Sequence, residues 1–135
     1  MKVSIVLTRK LNKSIFVALS YAAYFARTNE VYLIFIDEAV ELLVKGNEIP
    51  LEDRMKKISQ AQTGVNLENV KTHIDFIRLL MKKFGTKVKI CNTSTISRNI
   101  SSRLGDSSNI EGNFELSTIF EIATLLSESD LTLNF

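Results

Sequence analysis

A single cysteine, Cys91, stands in the run Lys87-Val88-Lys89-Ile90-Cys91-Asn92-Thr93-Ser94-Thr95, where an apolar stretch gives way to residues that start helices. In parallel α/β folds the carboxyl end of a strand is where ligands and reacting groups collect. The positive end of a following helix favours thiolate over thiol, and the thiolate is the nucleophile. The backbone N–H groups from about Thr93 to Ile96, those of Ser94 and Thr95 included, begin that helix without partners inside it and can stabilise an anion. Arg98 lies one or two turns on, either to help hold a thiolate or simply to sit on the surface. The competing reading is that Cys91 is a small buried hydrophobe, because strand ends are also core.

The remaining candidates are weaker. His73 is the only histidine, and no partner stands at a spacing suited to a metal or a general base; it reads as a packing or surface residue. Asp37 and Glu38 follow a strand and read as a helix cap with first-turn charge before they read as a cation site. Arg9 and Lys10 follow the first strand as a solvated turn. Neither a phosphate-binding loop nor a Gly-x-Gly-x-x-Gly turn is present.

The elements that must position Cys91 follow from hydrophobic patterning. Lys2–Leu7 and Glu30–Ile36 are continuous apolar runs that read as buried strands, with a helix from about Ser14 to Arg27 between them, capped by Asn12 or Ser14. Asp37 starts a short helix stopped by Gly46. From Asn47 to Asn69 the pattern weakens around Pro50, leaving one short helix near Met55 to Gln60. Val70, Ile74, Ile77, Met81 and Phe84 then form one helical face that ends at Gly85. Lys87–Cys91 is a strand that alternates with lysines and so lies nearer an edge. A brief helix from Thr95 to about Ile100 follows. Ser101 to Asn113 reads as loop, with a short strand around Asn109 to Glu111. Leu116, Ile119, Phe120, Ala123 and Leu126 mark a last helix, and Leu131–Phe135 a final strand. Continuous apolar strands alternating with helices are the mark of a parallel α/β sheet.

The chain of 135 residues is long enough for one domain, 1–135, with a proper core. Seventeen basic against fifteen acidic residues leave a net charge of +2, too little to point to nucleic acid. One cysteine excludes an internal disulfide and a cysteine-based zinc site, and it suits a reducing cytoplasm. The first apolar stretch is too short for a signal peptide, and Ile15–Ala26 is too short to span a bilayer, so a soluble protein is expected. That same segment is apolar nearly all round, which calls for cover on a second face. Another subunit is the expected cover; the alternative is the 47–69 excursion.

In the order of these features the chain resembles the DsrE-like family of small sulfur-handling proteins. The features are the strand Lys2–Leu7, the helix with Ala18, Ala22, Ala23 and Ala26, the run Glu30–Ile36 followed by Glu38–Gly46, Met81-Lys82-Lys83-Phe84-Gly85 leading into Lys87–Cys91, then Ile96-Ser97-Arg98-Asn99-Ile100 and Ser129–Phe135. The resemblance covers most of the chain without a stringent motif. Arg98-Asn99 stands where members commonly have Arg-Gly, and 47–69 has no counterpart. The resemblance implies a three-layer α/β/α sandwich around a mostly parallel five-stranded sheet. It also implies assembly into homo- or hetero-oligomers, frequently trimers or hexamers; otherwise the apolar helix leads us to expect a dimer. In sulfur-transferring members a cysteine at the end of the third strand carries a persulfide, and Cys91 falls there.

The expected function is therefore a sulfurtransferase-like relay, with Cys91 as nucleophile and donor and acceptor proteins as partners. It needs no metal or organic cofactor, and neither nucleic acid nor a membrane. The alternative is a non-catalytic oligomeric subunit or small-ligand-binding module in which Cys91 only packs.

Overall fold

Successive residues of a strand face opposite sides of a sheet, so parity decides which layer each side chain meets. The computed structural model describes residues 1–112 and 114–135. Its strands are β1 (Lys2–Leu7), β2 (Glu30–Phe35), β3 (Lys87–Cys91), β4 (Leu116–Ser117) and β5 (Leu131–Asn134). They form one parallel sheet in the order β4-β3-β2-β1-β5. Val3 pairs with Val31, Leu33 with Val88, and Ile5 with Leu133. The odd residues of β1 and β2 and the even residues of β3 thus share one face. Val6, Tyr32, Ile34 and Cys91 share the other.

The right-handed crossover preference then assigns the helices. The steps β1 to β2 and β2 to β3 run in one direction, so α1 (Ile15–Ala26) and α3 (His73–Phe84) lie on the same face. They pack on Val3, Ile5, Leu7, Leu33, Phe35 and Ile90 in the larger core. The step to β5 runs back across the sheet, and α5 (Ile119–Glu128) lands on the opposite face, where Ile122 and Leu125 are buried against Val6, Ile34 and Cys91. The result is the expected three-layer α/β/α arrangement.

Local signals start and stop these helices. Thr72 and Asp75 form a capping box at α3, and Gly85 ends it with φ +69°, a left-handed conformation glycine adopts freely. Thr118 and Glu121 form a second capping box at α5, whose hydrogen bonds from Thr118 hold the Glu121 carboxyl below its usual pKa.

Several expectations are corrected. The strand placed at Asn109–Glu111 is only an isolated antiparallel bridge between Ile110 and Val44, and β4 is instead Leu116–Ser117. Leu116 therefore belongs to the sheet, and the last helix begins at Ile119. Asn113, the end of the expected loop, lies outside the described residues. The helix after Cys91, α4, spans Asn92–Ser97 rather than Thr95–Ile100. Asp37–Leu43 is a 3-10 helix, and a 3-10 turn at Asn12–Ser14 precedes α1 without a side-chain cap from Ser14.

The 47–69 segment holds a full helix, α2 (Asp53–Thr63), which packs against α1. Ser20 and Ser59 join the two helices through their hydroxyls at 2.7 Å, and Arg27 Nη1 donates to the Thr63 carbonyl at 2.9 Å. This excursion covers much of the second face of α1. Ala18, Ala22 and Ala23 are fully buried within the chain, while Val17, Tyr21 and Tyr24 remain exposed beside Ile58 of α2.

Candidate functional site around Cys91

Cys91 ends β3 and is the residue before α4. It lines a cleft of about 370 Å³ at the carboxyl edge of the sheet. Ile36, just past β2, forms one wall; Thr93, Ser94 and Ser97 of α4 form another. Ile119, Ile122, Ala123 and Leu126 of α5 close the third side. The thiol is free, and Cys91 is 5% exposed, so what reaches it must enter through the cleft. Among the described residues no charged side chain lines the cleft. A cavity walled by isoleucine, leucine and alanine suits an uncharged or polarisable group better than a hydrated anion.

The expected helpers of Cys91 divide into two sets. Thr93 and Ser94 line the cleft with it. The Ser94 hydroxyl accepts the backbone N–H of Asp37 at 2.8 Å, which ties the chain beyond β2 to the helix beyond β3. Thr95 and Arg98 are elsewhere. Thr95 is fully buried; its hydroxyl donates to the Asn92 carbonyl at 2.8 Å and takes hydrogen bonds from Asn92 Nδ2 and Ser101 Oγ. That network shapes the start of the loop after α4. Arg98 places Nη2 3.1 Å from Asp37 Oδ1 and Nη1 3.4 Å from Glu41 Oε2. Its charge is matched by two carboxylates on the 3-10 helix and is not directed at the cleft. The helix field is also small, since α4 has only six residues.

Tyr32 packs in the same cluster as Cys91, but its hydroxyl donates to the Glu30 carboxylate. That bond, together with burial, pushes the phenol up to about 12. Tyr32 is not among the residues that line the cleft.

The other candidates serve structure. Asp37 is one of the Arg98 partners, with φ +55°, and Lys10 N–H donates to Glu38 Oε1 at 2.8 Å. His73 is buried. Among the described residues no three His, Cys, Asp or Glu side chains gather as a metal set, and no helix is long and apolar enough to cross a membrane.

Sequence reasoning did not assign Ile36, Ile119, Ile122, Ala123 and Leu126 to the site. The signal was there: Ile34 and Ile36 share the parity of Lys89 and Cys91, and the returning crossover puts the last helix over that face.

This is a parallel α/β protein with its single thiol at a strand end, under the helix that crosses back. The sequence matches the DsrE/DsrF-like family over residues 1–135, and the chain belongs to that family. Among solved structures it is similar to the ychN protein from E. coli, with 17% identity, 100% of each chain covered and a TM-score of 0.63. At that identity the likeness concerns the fold. No curated protein matches the sequence.

Proposed function

We propose that Cys91 carries sulfur as a persulfide and hands it to a thiol on another protein. The observation that supports this reading most is the placement of the only thiol in the wall of an apolar cleft at the carboxyl edge of the sheet. In the first step the Cys91 thiolate attacks the terminal sulfur of a polysulfide or donor persulfide. One S–S bond forms, the donor's S–S bond breaks, and the donor leaves as a thiolate. In the second step an acceptor thiolate attacks the outer sulfur on Cys91, and Cys91 returns to thiolate. No net oxidation occurs, and no cofactor takes part. With one cysteine, the acceptor thiol must come from another molecule. Apolar walls keep water from the bound sulfur, which protects a reactive intermediate.

Partners dock, in this proposal, where the cleft opens. Ile119, on its lining, and its neighbour Phe120 are 59% and 79% exposed, at the helix end nearest the thiol. Self-association belongs to the same proposal, as a trimer or hexamer, or else a dimer. It uses the exposed seam of Val17, Tyr21, Tyr24 and Ile58. A reducing cytoplasm suits such a thiol.

The 5% exposure of Cys91 favours a second reading, a binding or structural subunit in which the cysteine only packs. Alkylation separates the two. The relay expects iodoacetamide to modify Cys91 in the native protein at a rate comparable to an exposed thiol's. Modification only after denaturation would leave the structural subunit as the function.

A further inference from the structure

His73 is the only histidine of the chain, and it is fully buried. Both of its ring nitrogens are committed. Nε2 lies 2.6 Å from the Leu42 carbonyl, which can only accept, so Nε2 carries the proton. Nδ1 accepts the backbone N–H of Ile49 at 3.2 Å. One neutral tautomer satisfies both bonds. An imidazolium carries a second N–H at Nδ1, which would meet the Ile49 N–H donor to donor.

The ring sits inside a short antiparallel pairing of 49–51 with 71–73. His73 N–H donates to the Ile49 carbonyl at 3.0 Å, Leu51 N–H donates to the Lys71 carbonyl at 2.8 Å, and Pro50 bridges Thr72. On its other side the ring holds Leu42, next to the end of the 3-10 helix that carries Asp37 and Glu41 to Arg98. The same helix begins where Asp37 is fastened to Ser94 on the Cys91 cleft.

The charged neighbours are few. Glu48 from the loop and Glu111 from the segment before β4 both favour the imidazolium, and Glu111 is countered by Arg78 of α3 at 3.6 Å. Asp75 of α3 is occupied by the Lys71 and Thr72 N–H groups, and on the 3-10 helix Asp37 and Glu41 are engaged by Arg98.

We propose that His73 is an acid-released clasp: its protonation frees the 49–51 segment from the start of α3 and loosens the 3-10 helix that is tied through the Asp37 N–H to Ser94 on the Cys91 cleft, while the sheet stays formed. The inference is independent of what Cys91 carries. Burial is the dominant influence on the ring and holds its pKa below the ordinary 6.5, against the pull of the hydrogen bonds and carboxylates. The sign follows. The clasped state binds fewer protons than the open one, so the clasp is at full strength above 6.5 and weakens as pH falls from there towards the native pKa.

The test is nitrogen NMR of the imidazole together with amide hydrogen exchange on the whole protein, from about pH 7.5 down to about pH 5. At the upper end Nε2 should be protonated and Nδ1 bare. The protection factors of the Ile49 and His73 amides should fall roughly tenfold per pH unit below 6.5, and at every pH they should stay well below those of β1 and β2. His73→Gln, which does not titrate, should abolish that dependence; if it fails to fold, the wild-type titration decides alone. An imidazole that titrates as a free histidine with clasp protection unchanged would overturn the proposal. So would clasp amides as strongly protected as those of β1 and β2, since clasp and sheet would then open only together.

Discussion

The backbone N–H of Asp37 donates to Ser94 Oγ at 2.8 Å, so two segments far apart in sequence are joined at the lip of the Cys91 cleft. Asp37 sits at φ +55°, a left-handed conformation that an aspartate adopts at some cost. The Ser94 hydroxyl satisfies the N–H of this turn and ties the segment beyond β2 to α4 beyond β3.

Removing that hydroxyl should therefore matter more than a surface Ser→Ala change. Ser94→Ala leaves a partly buried N–H without its partner, and we expect a loss of about 1–2 kcal/mol. Urea denaturation would show it as a lower midpoint at unchanged slope. A midpoint equal to wild type would mean that water replaces the hydroxyl without cost.

Arg98 belongs to the same junction. Its two ion pairs are partly exposed, so the expected contribution to stability is about 1 kcal/mol. Arg98→Met should lower stability by that order and leave the alkylation rate of Cys91 near wild type, because the guanidinium faces Asp37 and Glu41. A fall in rate of about tenfold, equivalent to ~1.4 kcal/mol, would show that its charge acts on the thiol.

On α1 the buried and exposed faces make opposite predictions. Ala22 is fully enclosed by its own chain, so Ala22→Glu buries an unpaired charge and should unfold the protein whatever its assembly. Val17 and Tyr24 are exposed, and the double variant Val17→Glu, Tyr24→Glu should stay folded. Sedimentation velocity at micromolar concentration would compare the two species. The seam account expects the double variant to sediment as a smaller species than wild type; identical sedimentation removes the seam from assembly.

The four longer strands were legible because each is a run of alternating or continuous apolar residues, and the crossover rule places the helices once the strand order is known. β4 was not legible, since Leu116-Ser117 is too short to show alternation. The capping pair Thr118 and Glu121 was the available sign that the helix starts later. α2 was only partly visible, because Asp53–Thr63 is mostly polar and buries only Ser59 and Thr63. Its stability comes from packing on α1, which no local pattern reports. Cys91 was found from its place after Ile90. The partners of Arg98 lie 57 and 61 residues away, so sequence spacing could not tell a thiolate neighbour from an ion-pair partner.

Sulfur uptake tests the central claim most directly. Native protein is incubated with a polysulfide, freed of the donor and weighed intact, with Cys91→Ser alongside it. The relay account predicts that one sulfur atom is gained on Cys91, that a small thiol removes it again, and that folded Cys91→Ser gains none. A native protein that gains no sulfur, or a Cys91→Ser variant that gains as much as wild type, would contradict it.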